Sequence, residues 1–351
     1  MSMLGLLLLN VGTPDAPTPR AVRRYLREFL SDPRVLDVNP VLRFLLLNLV
    51  ILPFRPSRSA KAYREIWTPE GSPLLSHGLG LAQAVQMELG PNWIVRLAMR
   101  YGNPSVRSGL LAMAAAQRIV VLPLFPQYSS ASTGSALAHV YREAAKHLVT
   151  PNLSVIPPFF QQAEFLNCVV VRAEQAIRAH KPRHILFSYH GLPTRQVKRC
   201  DPSGRCCLQK EDCCEKLGEE NKNCYRAQCY FTTSELAKRL QLEDGSYTTC
   251  FQSRLGKTPW IEPDTVQVMA RLAAQNVKRL VVLCPAFVAD CLETTEEIGL
   301  RLREAFLARG GEEFALVPSL NADADWALAV AGFVRSHAEQ RPARQNGDLA
   351  V

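Results

Sequence analysis

Short runs of Leu, Ile and Val alternate along the chain with longer stretches whose apolar residues recur every three or four positions. The continuous runs predict buried strands over 4–11, 95–100, 118–124, 153–157, 184–189, 248–252, 279–284 and 314–318. Between them the helical period covers 19–30, 73–89, 105–115, 135–148, 163–179, 233–240, 264–275 and 292–308. Alternation of this kind predicts an α/β fold, with parallel sheets covered by helices on both faces. Pro157-Pro158 and Gln161-Gln162 interrupt the pattern near its middle. Two halves follow, 1–158 and 159–320, each expected to hold a four-stranded parallel sheet. A last helix within 321–338 precedes a polar, flexible tail at 339–351.

Composition narrows the function without choosing it. The chain has 351 residues, 47% hydrophobic and 21% charged, which excludes wholesale disorder and suits two domains. Its 41 Lys and Arg against 32 Asp and Glu leave +9, so an anionic ligand or surface is favoured. No basic run is interleaved with aromatics, and nucleic acid has no specific support. Neither a G-x-G-x-x-G loop nor a Walker lysine is present, which argues against a nucleotide. The longest apolar run, 44–52, falls short of the ~20 residues that a membrane-crossing helix needs. The apolar start lacks a basic leader, so it reads as a first strand and a cytoplasmic location is expected.

In open α/β sheets, ligands bind beyond the carboxyl ends of the strands. Phe187-Ser188-Tyr189-His190-Gly191-Leu192-Pro193 places His190 at such an end. A neutral imidazole there serves as a base or a metal ligand, although a histidine that merely caps the strand fits equally well. A second strand end leads into Asp290-Cys291-Leu292-Glu293-Thr294-Thr295-Glu296-Glu297. Glu293 and Glu297, four apart, share one helical face, where two carboxylates repel unless a cation or a proton relieves them. The plainer reading is a helix N-terminus that favours acids. His190 and Glu293 together offer nitrogen and oxygen to a divalent metal.

Seven of the eleven cysteines lie between Cys200 and Cys229, in a segment too poor in apolar residues to build its own core. A reducing compartment favours metal over disulfides. The intervals match neither a paired C-x₂-C zinc site nor the plant ferredoxin spacing, and they leave zinc and an iron–sulfur cluster equally open.

The order of motifs resembles the ferrochelatase family across nearly the whole chain. It starts at Leu9-Asn10-Val11-Gly12-Thr13-Pro14 and runs through Ile51-Leu52-Pro53-Phe54-Arg55, Gly71-Ser72-Pro73-Leu74 and Met99-Arg100-Tyr101-Gly102. Phe125-Pro126-Gln127-Tyr128-Ser129 and Ser132-Thr133-Gly134-Ser135 follow. The second half adds the His190 motif, Gln252-Ser253-Arg254-Leu255-Gly256, Trp260-Ile261-Glu262-Pro263-Asp264-Thr265 and 290–297. The resemblance implies two similar Rossmann-like domains around a porphyrin cleft. It also implies a chelatase of the lyase class that inserts ferrous iron into protoporphyrin IX to give protohaem.

By position, His190 and Glu293 match the family's metal-site pair, with His190 expected as base or ligand and Glu293 as ligand or proton relay. Asp290 and Glu297 fall on its acidic path. Val11, Arg100, Tyr101, Tyr128 and Ser129 are expected on the porphyrin side. Val11 departs from the larger Met or Tyr common in the family, and Cys291 stands where animal-type relatives have His. Some family members carry a [2Fe–2S] cluster in an insertion at this place, so the resemblance implies one held by four of Cys207, Cys213, Cys214, Cys224 and Cys229. Residues 41–54 resemble the family's apolar lip, and with Arg43, Arg55 and Arg58 they suit peripheral contact with an anionic membrane. A buried helix over the sheet is the alternative. Two other functions stay open. One is a chelatase for coproporphyrin, sirohydrochlorin or, with cobalt, a corrinoid precursor. The other is a tetrapyrrole-binding or redox-sensing protein without turnover. Oligomeric state is left open.

Overall fold

The eight strands are β1 (Leu4–Thr13), β2 (Trp93–Gly102), β3 (Arg118–Pro123), β4 (Leu153–Val155), β5 (His184–His190), β6 (Tyr247–Gln252), β7 (Arg279–Leu283) and β8 (Glu313–Leu316). In the computed structural model they form two four-stranded sheets, ordered β2-β1-β3-β4 and β6-β5-β7-β8, with parallel pairing throughout. The same strand order therefore occurs twice. The structure describes residues 3–339 apart from Pro202, Glu211 and Lys257. All but the first residue of the expected tail lies outside them.

Each central strand is a near-continuous apolar run because both of its faces are covered. Along β1, Leu6 and Leu8 join one core while Leu7 and Leu9 join another, as the two-residue period of a strand dictates. In the second sheet, Val281 and Leu283 of β7 face the core that holds Leu6 and Leu8, while Leu280 and Val282 face away. One core thus spans both halves. Trp326, fully buried on the Ala324–Glu339 helix, packs there against Phe159 and Phe165, and that helix lies against Pro73–Leu89 of the first half.

The residues read as a lip extend into one helix, Pro40–Ile66, 27 residues long. Arg43 and Pro53 bound the apolar run 44–52 but do not end the helix, which explains why its length was not legible from the run. A π-helical stretch, Leu46–Ile51, stands where Pro53 and Pro56 enter and two N–H donors are missing. Leu47, Leu52, Ala60, Tyr63 and Ile66 pack in one core with the Pro19–Ser31 helix. The other face leaves Val41, Phe44, Leu49 and Phe54 at 66–76% exposure. By length and composition this helix is apolar enough to cross a membrane, although its second half also carries Arg55, Arg58, Lys61 and Arg64.

Candidate active site

His190 closes β5, in register with Gln252 of β6. Gly191 follows because the chain must pass close to that neighbour. Its N–H donates to the Gln252 carbonyl at 2.8 Å, and a Cβ at 191 would lie 2.7 Å from the same oxygen. The His190 Nδ1 lies 2.6 Å from the Gly191 carbonyl. A carbonyl only accepts, so Nδ1 carries the hydrogen and Nε2 of the neutral ring keeps a free lone pair. The Phe287 ring stands 6.3 Å from the imidazole.

Gln252 and Ser253 join this strand end to the acidic helix. The Gln252 amide donates to the Glu293 carbonyl at 2.7 Å. Ser253 donates to both Glu297 carboxylate oxygens, from its N–H at 2.8 Å and its hydroxyl at 2.6 Å. It does so from a left-handed backbone, φ 67°, a strained state that clusters at functional sites. Leu292–Leu302 is a π-helix rather than an α-helix. Burial raises the Glu297 pKa and the Glu293 charge raises it further, while the bonds from Ser253, and His190 whenever it holds a second proton, pull it down; the net direction is up.

Glu293 lies within electrostatic reach of Tyr25, Tyr63 and Arg55 of the first half. Burial, with the Glu293 charge adding to it, holds both phenols far above their usual range, so they remain neutral donors. Burial also lowers the Arg55 pKa. Neither tyrosine had been singled out, since both come from helices over two hundred positions away. The one signal was a phenol on the buried stripe Leu52, Pro56, Ala60, Tyr63. Val11 packs with Phe287, Leu74, Ala289 and Cys291, so it stands where the halves meet. Gly12 beside it, φ 116°, lets β1 pass close to β2, because a Cβ would lie 1.9 Å from the Tyr101 carbonyl oxygen.

Other expected residues stand apart from this group. Asp290 accepts from Asn321, Ser319 and Thr294 at 2.8, 3.2 and 3.2 Å, and so anchors its loop. Arg100 forms an ion pair with Asp32 at 2.6 Å and its Nε donates to Ser135 at 2.8 Å. Tyr101 is fully buried, its hydroxyl 3.0 Å from Asp32 and 3.1 Å from Ser135, so it lies beneath the cleft surface. Burial alone would raise the Asp32 pKa, but bonds from Ser135, the Arg34 N–H, Tyr101 and Arg100 prevail and lower it. Tyr128 lines a cleft of about 560 Å³ with Arg34, Ser130, Cys200 and Asn223, while Ser129 is buried and its hydroxyl meets Ser132 at 2.6 Å.

The cysteine-rich segment folds its thiols inward. The sulfurs of Cys207 and Cys224 are 3.8 Å apart, and those of Cys213 and Cys214 3.7 Å. The hydrogen bond with Cys207 leads the rise of the Cys224 thiol to about 12, whereas burial is the main cause for Cys213 and Cys229. Among the described residues, no three His, Cys, Asp or Glu side chains converge as ligands of a single ion.

The ferrochelatase family profile matches residues 3–338. The chain belongs to the ferrochelatase family. It is 45% identical to a ferrochelatase from Coxiella burnetii over 330 residues, covering 93% of this chain and 92% of that one. It is 46% identical to a ferrochelatase from Legionella pneumophila over 332 residues, 94% and 98% of the two chains. Among solved structures it resembles SirB from Bacillus subtilis with Fe³⁺, at a TM-score of 0.53 and 11% identity over 96% of each chain. At that identity the likeness concerns the fold alone.

Proposed function

We propose that the chain inserts ferrous iron into protoporphyrin IX to form protohaem, at the seam where His190 and the Glu293–Glu297 face meet Val11, Tyr25, Arg55 and Tyr63. The observation that carries the site assignment is the hydrogen bond from His190 Nδ1 to Gly191, which leaves Nε2 as an open base. Two protons must leave the macrocycle as iron enters its four nitrogens. The Nε2 lone pair accepts a pyrrole proton, a step in which a positioned base gives ~10²–10⁴-fold. Glu293 receives iron or passes protons outward, and Glu297, shifted toward its protonated form, continues that relay. Asp290 holds the loop that aims them. Arg55, a partly desolvated cation, suits one of the ring's carboxylates. Anaerobic incubation of the protein with Fe²⁺ and protoporphyrin IX tests the reading: protohaem appears at a rate above the protein-free control, and no conversion refutes it.

The cysteine segment fits a [2Fe–2S] cluster. A tetrahedral site with metal–sulfur bonds of ~2.3 Å has edges of roughly 3.8 Å, the separation of each sulfur pair. In such a cluster each pair would supply two thiolates to one of two irons, an arrangement that does not require three ligands to converge on one point. Cys207, Cys213, Cys214 and Cys224 would hold it, with Cys229 turned to Tyr225. Such a cluster gives the segment the core its sequence lacks. A visible absorption envelope with about two irons per chain, lost in Cys224→Ser, supports this, and a colourless protein loaded with zinc overturns it.

The exposed apolar face of Pro40–Ile66, flanked by basic residues, suits contact with an anionic membrane in which protoporphyrin partitions. Flotation with anionic vesicles should fall several-fold in Phe44→Asp/Leu49→Asp; unchanged flotation, or none in the parent, rejects it.

A further inference from the structure

The helix Tyr225–Arg239 begins at Cys224 and runs from the cysteine-rich segment to the loop that leaves β3. Gln228, one turn in and 2% exposed, uses both ends of its amide. Its Oε1 accepts the Tyr128 N–H at 2.6 Å, and its Nε2 donates to the Lys222 carbonyl at 2.6 Å. One turn further, Thr232 accepts from the Gln127 amide at 3.0 Å. Phe231 meets Phe160 edge-on at 5.6 Å, and the Phe160 N–H donates to the Pro126 carbonyl at 3.1 Å. The loop is thus seated on this helix directly at Gln127 and Tyr128, and by way of Phe160 at Pro126.

Beyond Tyr128 the loop turns back on itself, with the Gly134 N–H donating to the Ser129 carbonyl at 3.0 Å. It then delivers Ser135 to Asp32 and Arg100. From there packing continues toward the seam: Tyr101 lies edge-on to Phe29 at 5.1 Å, and Phe29 stacks on Tyr25 at 5.8 Å. Tyr128 and Ser130 line one cleft together with Cys200 and Asn223 of the cysteine-rich segment. Gln228 therefore bonds at one end to the loop and at the other to the Lys222 carbonyl of the cysteine-rich segment. A buried amide satisfied at both ends resists displacement at either end, because each lost partner leaves a desolvated polar group.

We infer that Gln228 is a positioning residue for the loop 125–135, which carries the Tyr128 and Ser129 that the family resemblance puts on the porphyrin side, and that through Gln228 the order of the cysteine-rich segment is imposed on that loop. The segment sets the Lys222 carbonyl, that carbonyl orients the amide, and the amide fixes the Tyr128 N–H and the loop behind it. The inference rests on the tetrapyrrole reading above and deepens it. By linkage the effect is reciprocal: porphyrin binding orders the cysteine segment.

Three variants of the full chain separate the two ends of the clamp. Gln228→Met removes both bonds. Gln228→Glu keeps an acceptor for Tyr128 but offers no donor to Lys222 when ionised. Cys207→Ser disturbs the segment at a distance from the clamp. Cys207→Ser should weaken protoporphyrin IX binding, read by porphyrin fluorescence, about tenfold and speed amide hydrogen exchange over 125–135. In Gln228→Met, binding is already weak, and adding Cys207→Ser changes it less than twofold. Gln228→Glu binds more weakly than the parent, and its affinity no longer responds to Cys207→Ser. Additive losses from Gln228→Met and Cys207→Ser, or parental exchange over 125–135 in Cys207→Ser, overturn the inference. Should Gln228→Met not fold by near-ultraviolet circular dichroism, the Glu variant decides alone, and a tenfold response to Cys207→Ser in that background refutes the clamp. A parent that binds no protoporphyrin refutes the tetrapyrrole reading instead, and the exchange measurement still judges the clamp.

Discussion

The two sheets have the same strand order, yet their carboxyl ends treat charge in opposite ways. In the first half, Arg100, Asp32, Tyr101 and Ser135 satisfy one another in a closed buried network. In the second half, His190 keeps a free Nε2, and two carboxylates share a helix face with no cation bonded to them among the described contacts. A closed network specifies shape, whereas unneutralised groups at a cleft are available for chemistry. The repeated fold therefore supplies one wall and one reactive edge.

His190→Ala tests that division most strongly. Iron insertion should fall by about 10³-fold while protoporphyrin affinity stays within a few-fold, because the loss is in proton transfer. Equal losses in binding and turnover would make His190 a wall residue like Arg100. Asp32→Asn should destabilise the protein by about 3–5 kcal/mol in urea titration, since it leaves the buried Arg100 charge unpaired. A change below about 1 kcal/mol would show that the first network is not closed at all.

The smallest expected effect is on pH dependence. Glu297 has a raised pKa, so its contribution to stability is full below the unfolded value near 4.5 and is lost as pH rises through the folded value. Glu297→Gln removes that dependence. The variant should gain on the parent as pH rises through that window, measured as a difference in thermal midpoint. A constant difference across the window would place Glu297 in a solvated setting.

The sheets were legible because burial on both faces writes a continuous apolar run, as in Leu6–Leu9 and Val281–Leu283. The eight expected strands all occur, with ends shifted by a residue or two. His190 and Glu293 were legible as residues at strand ends, and the order of motifs gave their roles. Tyr25 and Tyr63 were not, because a phenol beside a carboxylate from the other half leaves no local mark. Asp290 and Glu297 look equivalent along the chain, yet one anchors a loop and the other is held by a strained Ser253 next to His190. The long Pro40–Ile66 helix was hidden by its own interruptions: Arg43 and Pro53 end an apolar count without ending the helix.

By itself, the sequence determined the alternation of strand and helix, the doubled half and the residue types at each strand end, since these follow from periodicities of two to four positions. Only the tertiary structure decided which polar groups are spent on one another and which stay open. That depends on distances between residues far apart in the chain, where a single hydrogen bond turns a potential ligand into a brace.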